Sequence, residues 1–316
     1  MINTRDNKGT YIYTYSYHED EQSLCLLEMR MFFGFDKASK YLASPINVHP
    51  SRSPFMKEKI AVYVESKSIE ELWTKIKGFE VPETKTYKVV FVNLDKGDKL
   101  SFKERRNIER QAGLLLNGRV DLKEPMVEFG IMNVNGRWVF GELERSEAVW
   151  YKHQMKPHQY STALSTRVAR AVVNIAVPNP IGVKVIDPCC GIGTVLVEAL
   201  SMGIDIVGSD INFQVLPGTR ENIAYFGFHT DVTLCDIRDV TEFYNVAIID
   251  MPYNLCSVLP TEEKMEMLQS ARNIADKVVI VTVEPLEEIL EEVGLHIVDR
   301  CVAKKSSFTR QVIVCT

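Results

Sequence analysis

A short segment after an apolar stretch carries residues suited to holding a planar amine. Asp250-Met251-Pro252-Tyr253-Asn254 follows Val246-Ala247-Ile248-Ile249, which has the pattern of a buried strand. Asp250 can accept a hydrogen bond from an exocyclic amine, a carbonyl beside Pro252 can accept another, and Tyr253 can stack on the ring. Such an amine must be held in line with an electrophile, because its lone pair is delocalised. The segment also fits a strand-ending turn, so both interpretations stay open here.

A second candidate site is a glycine-rich turn between a predicted strand and a predicted helix. The turn Asp187-Pro188-Cys189-Cys190-Gly191-Ile192-Gly193-Thr194 follows the apolar residues 183–186. Glycines let a ligand approach the backbone closely, and a helix N-terminus favours an anionic group. A dinucleotide fingerprint would need a third glycine where Leu196 stands, and a Walker lysine is missing as well. NAD binding is therefore disfavoured.

Carboxylates recur where three successive predicted strands end. Asp187 ends the first strand, Asp210 ends the second, and Asp236 follows the third. At the carboxyl ends of parallel strands, Asp210 can accept bonds from both hydroxyls of a ribose, and Asp236 is spaced to meet an adenine amino group. Each acid alone fits a turn or a cap. Together they predict a crevice for a ligand with a ribose, an adenine and no phosphate.

The elements that must position these residues alternate between strand and helix from Gly182 onward. This alternation predicts an α/β fold with a doubly wound, mostly parallel sheet. The last two strands, His296–Ala303 and Phe308–Cys315, leave no room for a crossover helix, so we expect an antiparallel hairpin. Ser161-Thr162 is expected to cap a helix that runs to Ala176 before the first strand. Earlier in the chain the pattern is looser and indicates smaller α+β modules.

Composition excludes several classes of protein. The 316 residues are 46% hydrophobic, with 37 Lys and Arg against 42 Asp and Glu, which excludes disordered and coiled-coil chains. The seven cysteines show neither CxxC nor Cys/His spacing, which argues against a disulfide scaffold or structural zinc and favours a reducing cytoplasm. No apolar stretch is long enough to span a membrane. We therefore expect a cytoplasmic protein without a metal centre.

Basic residues cluster in one stretch of the less acidic first half. The cluster consists of Lys96, Lys99, Lys103, Arg105, Arg106 and Arg110. A solvated helix face with ion pairs four residues apart would account for it. The alternative is a surface that contacts nucleic-acid phosphates, although the solvated face is the preferred interpretation.

Taken together, these motifs resemble the class I S-adenosylmethionine-dependent methyltransferases, and more narrowly the THUMP-associated tRNA guanine-N2 methyltransferases. The turn 187–194 is similar to the loop D-P-x-C-G-x-G-T of that group, and 250–253 to its (D/N/S)-x-P-Y motif. Residues 156–164 and 167–171 resemble the segment that precedes the loop in that group. Asn222, on the helix after the second strand, also matches the group.

The resemblance also implies a Rossmann-like class I sheet and a domain organisation. The stretch from Tyr87 to Pro125 and the Asn135-Gly136 hairpin are similar to a THUMP module. The predicted modules are a ferredoxin-like N-terminal module at 1–55, a THUMP-like RNA-binding module at 56–150, and a methyltransferase domain with its linker helix at 151–316.

The family implies S-adenosyl-L-methionine as the methyl donor and RNA, specifically tRNA, as the substrate, with transfer to guanine N2. The residues implied for donor binding are Tyr160, Ser161, Thr162, Asp187, Cys189, Gly191, Gly193, Thr194, Asp210, Ile211, Asp236 and Ile237. Asp250, Pro252 and Tyr253 would hold the target base. Met251 and Asn254 depart from the residues usual in this motif.

Other functions fit part of the pattern. The same motif serves adenine N6 in RNA or DNA, or a protein glutamine. A catalytically decayed RNA-binding homologue would keep the fold, and a nucleotide-binding oxidoreductase would need the missing glycine. A pyrimidine-C5 mechanism would require a cysteine nucleophile, for which Cys256, Cys189 and Cys190 are the candidates, although small buried thiols account for them better. Arg310 could contact an RNA phosphate or cap an edge strand.

Overall fold

Two separate mixed sheets organise the chain in this computed structural model, which describes residues 9–35, 39–94, 100–252, 259–305 and 308–316. The first compact unit comprises residues 1–16, 38–51 and 55–147. The second comprises 17–37, 52–54 and 148–316. Across the described ranges, no helix is both long and apolar enough to cross a bilayer.

Helices and strands are numbered here along the whole chain. The strands are β1 (Tyr11–Tyr15), β2 (Tyr41–Ser44), β3 (Met56–Ser66), β4 (Thr86–Phe91), β5 (Arg119–Val120), β6 (Val127–Val134), β7 (Arg137–Arg145), β8 (Lys184–Asp187), β9 (Asp205–Asp210), β10 (Val232–Leu234), β11 (Tyr244–Asp250), β12 (Ala275–Thr282), β13 (Ile297–Lys305) and β14 (Phe308–Cys315). The helices are α1 (Gln22–Phe33), α2 (Ile69–Ile76), α3 (Phe102–Leu115), α4 (Trp150–His153), α5 (Thr166–Ala176), α6 (Thr194–Ser201), α7 (Leu216–Tyr225), α8 (Thr261–Ile274) and α9 (Glu287–Glu292).

The first unit is built on the sheet β2-β1-β3-β7-β6-β4-β5. Aromatic side chains fill its core, where Phe129 and Phe140 stack with ring centroids 5.3 Å apart. The β6–β7 hairpin turns at Asn135 and Gly136, both with positive φ, as a tight two-residue turn requires, which confirms the predicted hairpin. At the start of α3, Ser101 and Glu104 form a reciprocal capping box.

The boundary predicted at residue 55 does not separate two sheets. β1 pairs with β3, where Ile12 lies opposite Ile60, so residues from both predicted N-terminal modules share one sheet. Residues 17–37, which carry α1, belong to the second unit instead. The chain leaves the first sheet and returns to it, a path that sequence periodicity does not report.

The second unit is built on the sheet β10-β9-β8-β11-β12-β14-β13. Strands β8 to β12 are parallel, because each is followed or preceded by a helix that carries the chain back across the sheet. β14 lies antiparallel between β12 and β13. This arrangement confirms the predicted α/β, Rossmann-like class with its antiparallel hairpin.

The helix before the first parallel strand starts later than predicted. Its N-cap is Ser165, whose hydroxyl accepts a bond from the amide of Val168, so the prediction of Ser161 and Thr162 as caps is wrong. Residues 161–164 lie outside the helix. They are consequently available to form one wall of the site described below.

Candidate active site

A cavity of about 470 Å³ lies at the carboxyl ends of the parallel strands in the second unit. Such edges are where ligands bind in open α/β sheets. The predicted residues that line it are Tyr160, Thr162, Asp187, Cys189, Gly191, Thr194, Asp210, Ile211, Asp236, Ile237, Asp250 and Pro252. Ser161 and Gly193 are not among its lining residues, and Tyr253, Asn254 and Cys256 lie outside the described part of the chain.

The glycine loop is tied to the strand beside it by a carboxylate. Asp210 accepts a bond from the amide of Gly191 at 2.8 Å through Oδ2, and one from Asn212 at 2.8 Å through Oδ1. The hydroxyl of Thr219 donates to the carbonyl of Gly191. Two elements therefore hold the loop, and each Asp210 oxygen keeps one further lone pair for a ligand hydroxyl.

Gly193 has a packing role rather than a lining role. It caps α6 with φ of 78°, a conformation that favours glycine, and an added Cβ would lie 2.8 Å from Cγ2 of Thr219. Close packing of α6 on α7 therefore requires a residue without a side chain at this position.

A buried asparagine connects the glycine loop to the segment before α5. The Nδ2 of Asn222 donates to the carbonyls of Ile192 at 2.9 Å and His158 at 3.1 Å, and its Oδ1 accepts from the amide of His158 at 2.8 Å. Asn222 is fully buried. The residue singled out by resemblance thus links two walls of the cavity without lining it.

At the third strand end, a neighbouring arginine engages the predicted acid. Arg238 donates to both carboxylate oxygens of Asp236, with its Nη2 at 2.7 Å from Oδ2, and reaches Glu266 through Nη1 at 2.6 Å. These bonds to Arg238 lower the pKa of Asp236. Asp236 is therefore held ionised and in a fixed orientation at the cavity wall.

Two carboxyl groups that line the site have raised pKa values. Asp187 is buried at the end of β8, and this burial, with Asp250 and Asp210 nearby, raises its pKa well above the ordinary value despite a bond from the Cys189 amide. Burial also raises the pKa of Asp250 to about 7, against the opposing charge of Arg310. Within the described chain, Oδ1 of Asp250 is buried without a hydrogen-bond partner.

The two thiols of the glycine loop are poor nucleophiles. Burial, together with the negative charge of neighbouring acids such as Asp187, raises the pKa of Cys189 and of Cys190. Both thiols therefore stay protonated at neutral pH. This favours small buried thiols over a cysteine mechanism at these two positions.

Several lining residues were not predicted from the sequence. They are Ala163, Leu164, Pro188, Cys190, Ile192, Val195, Asn212, Val215, Arg238, Met251, Leu259, Glu263 and Met267. Most neighbour a predicted residue in the chain and could have been found by extending each motif. Glu263 and Met267 come from α8, where four-residue spacing puts them on one helix face but no motif marks them.

Comparison with known proteins identifies the part of the chain that carries this cavity. Residues 153–279 match the UPF0020 family, an RMKL-like methyltransferase domain. This stretch is similar to methyltransferase domains. The match contains the glycine loop, the three strand-end acids and Asp250, and S-adenosylmethionine is the cofactor that such a domain implies.

The chain is similar to two characterised methyltransferases. It is 32% identical over 212 residues to the tRNA (guanine(10)-N2)-dimethyltransferase of Methanothermobacter thermautotrophicus, covering 60% of this chain and 62% of the relative. It is 30% identical over 100 residues to the human U6 snRNA (guanine-N(2))-methyltransferase THUMPD2, covering 29% of this chain and 20% of the relative. The chain thus spans less than two thirds of each of these relatives.

The crystal structure of TrmN from Thermus thermophilus aligns with a TM-score of 0.47 and 16% identity, over 97% of this chain and 99% of that chain.

Proposed function

We propose that the chain is an S-adenosylmethionine-dependent RNA methyltransferase that modifies N2 of guanine in tRNA. The observation that carries the proposal is Asp250, whose buried Oδ1 lacks a partner in the described structure and which lines the same cavity as the glycine loop and Asp210. The similar proteins described above are named as guanine-N2 methyltransferases, which supports this base and this class of substrate.

The cavity suits an adenosyl group that carries no phosphate. Among the described lining residues the basic one is Arg238, which Asp236 and Glu266 already engage. The buried hydroxyl of Thr194, at the start of α6, has no partner in the described chain and lines the cavity. An acid-lined cavity with an unused hydroxyl favours a polar, cationic ligand over a nucleotide phosphate.

Three groups of residues would hold the donor, which supplies an electrophilic methyl group when bound. Asp210 and Ile211 would contact the ribose, and Asp236 and Ile237 the adenine. Gly191 and Thr194 with Tyr160 and Thr162 would surround the methionine part. Gly193 and Asn222 would act indirectly, by fixing the loop.

The acceptor side needs a carboxylate that can bind and then move a proton. Asp250 would accept a bond from N2 of guanine and take the proton that the amine loses when its lone pair attacks the methyl carbon. A pKa near 7 suits this task, because a base works best when its pKa is close to the working pH. The roles of a carbonyl beside Pro252 and of stacking by Tyr253, which lies outside the described residues, stay predictions.

Tritiated methyl transfer tests the proposal. The full chain is incubated with labelled S-adenosylmethionine and unmodified tRNA, and the product is digested to nucleosides; label is expected in N2-methylguanosine. Label in N6-methyladenosine would overturn the base assignment. Binding of S-adenosylhomocysteine without transfer to any RNA would instead support a decayed homologue.

Asp250→Asn gives the matched test of the residue. It should lower the transfer rate about 100-fold or more while S-adenosylhomocysteine still binds. Asp276→Asn, an exposed aspartate at the opposite end of the neighbouring strand β12, should leave the rate unchanged. Equal rates for the Asp250 variant and wild type would contradict the assigned role.

A basic helix face is the proposed RNA contact in the first unit. Lys103, Arg106 and Arg110 are exposed on α3 at three- and four-residue spacing, which brings them to one side of the helix. Arg106 also pairs with Glu109 at 2.8 Å, so part of its charge is neutralised. The face is suited to phosphate contacts that position an RNA without reading its sequence.

A further inference from the structure

Strand β14 carries a cationic residue, Arg310, close to the edge of the cavity. β14 is antiparallel to β12, so it begins where the parallel strands end. Asp250 lies opposite Val281, and Val281 lies opposite Val312. Arg310 comes two residues before Val312, which places it beyond the strand ends on the same face of the sheet as Asp250.

The arginine side chain is long enough to connect the two sides of the site. Neighbouring strands lie about 4.8 Å apart, so the backbones of β14 and β11 are roughly 10 Å apart across β12. The half-buried guanidinium of Arg310 donates through Nη2 to the carbonyl of Thr162 at 3.1 Å. Thr162 and Asp250 both line the cavity, and the charge of Arg310 acts on Asp250.

We propose that Arg310 is a positioning residue that couples the donor side of the cavity to the acceptor side. Its guanidinium fixes residues 160–164 over the donor through the carbonyl of Thr162. Its positive charge favours the carboxylate form of Asp250, which accepts the target amine. The inference rests on the proposed function and assigns a role to a residue outside residues 153–279.

The surroundings of Asp250 explain why this charge is needed. The titratable residues that line the cavity with Asp250 are Tyr160, Asp187, Cys189, Cys190, Asp210, Asp236, Arg238 and Glu263. Arg310, on β14, is not one of the lining residues, but its charge acts on Asp250. Burial raises the pKa of Asp250 and so favours its protonated form. The charge of Arg310 opposes that shift. Its bond to the carbonyl of Thr162, a lining residue, holds it beside the site, which favours this role over contact with an RNA phosphate.

Two substitutions separate the hydrogen bond from the charge. Arg310→Met removes both, whereas Arg310→Lys keeps the charge and one short donor. In the full chain, the Met variant should bind S-adenosylhomocysteine about tenfold more weakly by calorimetry. The acidic limb of its pH profile for methyl transfer should move to higher pH by about 1 unit or more, because Asp250 loses a neighbouring cation. The Lys variant should keep the wild-type midpoint.

The control is Arg300→Met on the adjacent strand β13. Arg300 pairs with Glu287 at the surface and does not line the cavity, so neither quantity should change. Wild-type affinity and midpoint in the Arg310→Met variant would overturn the inference alone. A Lys variant that shifts the midpoint as far as Met would also overturn it, since a structural role would not depend on charge. Failure of the wild type to bind S-adenosylhomocysteine would overturn the proposed function with it.

Discussion

At the scale of single residues, the chemistry of the site was more predictable than its hydrogen bonding. Asp187, Asp210 and Asp250 end apolar runs, and the ends of parallel strands meet at one edge, so sequence alone brings them together. The sequence does not show that Arg238 occupies both oxygens of Asp236. That contact depends on the short 3₁₀ turn at Ile237–Asp239, which has no periodicity.

Glu28 is a buried carboxyl whose titration should be visible in stability. It accepts bonds from Ser53 and from Asn174, and burial raises its pKa to about 7, although Arg52 and Arg170 oppose the shift. The folded state therefore holds a proton that the unfolded state releases near pH 4.5. This contribution to stability is complete below pH 4.5 and lost as the pH rises through 7.

Glu28→Gln should remove that pH dependence while keeping the shape of the side chain. Between pH 5 and 7 the free energy of unfolding of the wild type should fall relative to the variant by roughly 1 kcal/mol per pH unit. Urea unfolding at several pH values measures this difference. Glu288→Gln, an exposed position on α9, is the control and should run parallel to wild type. If the stability of Glu28→Gln varies with pH in the same way as that of the wild type, Glu28 is already ionised in the folded state.

At the scale of elements, hydrophobic periodicity predicts where strands and long helices occur. It does not predict the residue at which each helix starts. α2 starts at Ile69 because the side chain of Ser68 caps it immediately before the apolar pattern. For α5, three hydroxyl residues were available upstream, at 161, 162 and 165. Only a cap with extended backbone and a bond to the third residue of the helix works, and Ser165 satisfies this.

The two serines near α5 should therefore differ in their effect on stability. Ser165→Ala should lower the free energy of unfolding by about 1 kcal/mol through loss of the cap. Ser161→Ala, at an exposed position outside the helix, should change it by less than about 0.5 kcal/mol. Thermal or urea unfolding of both variants makes the comparison. A larger loss of stability for Ser161→Ala than for Ser165→Ala would support the original prediction that Ser161 caps the helix.

Helix α1 is bound to its unit by an ion pair that the sequence could not indicate. Arg30 donates to both oxygens of Asp299 on β13, through Nε and Nη2, each at 2.9 Å. The pair is about three-quarters buried, and 269 residues separate its members. Local patterns carry no information about contacts at such a separation.

Arg30→Ala should accordingly destabilise the second unit by about 1–3 kcal/mol, since Asp299 would lose two charge-assisted bonds. Arg300→Ala, the residue next to Asp299, removes a surface pair with Glu287 and should cost less than about 1 kcal/mol. Urea unfolding of both variants provides the measurement. Equal losses would mean that α1 is held by apolar packing alone.

At the scale of the whole molecule, net charge gives little help in binding RNA. The chain carries −5, so attraction to phosphates must come from local surfaces such as the exposed face of α3. Replacing Lys103, Arg106 and Arg110 together by Gln should weaken tRNA binding and reduce its dependence on salt concentration. Affinity for S-adenosylhomocysteine should not change. An unaltered salt dependence would place the RNA contact elsewhere.

Domain organisation was predicted less well than fold class. The α/β alternation after Gly182 is local and was read correctly. The excursion of residues 17–37 into the second unit is a matter of tertiary pairing, which composition does not show. Any shortened version designed from residue 151 onward would omit α1 and with it the Arg30 ion pair.

The placement of β14 between two strands that precede it in the chain has a consequence for biosynthesis. Until residues 308–316 emerge from the ribosome, β12 and β13 cannot be joined, and each exposes a row of unpaired amides and carbonyls. A nascent chain at that stage presents an apolar, open-edged surface to chaperones. Arg310 arrives with the same strand, so completion of the sheet and delivery of this arginine to the cavity edge coincide in time.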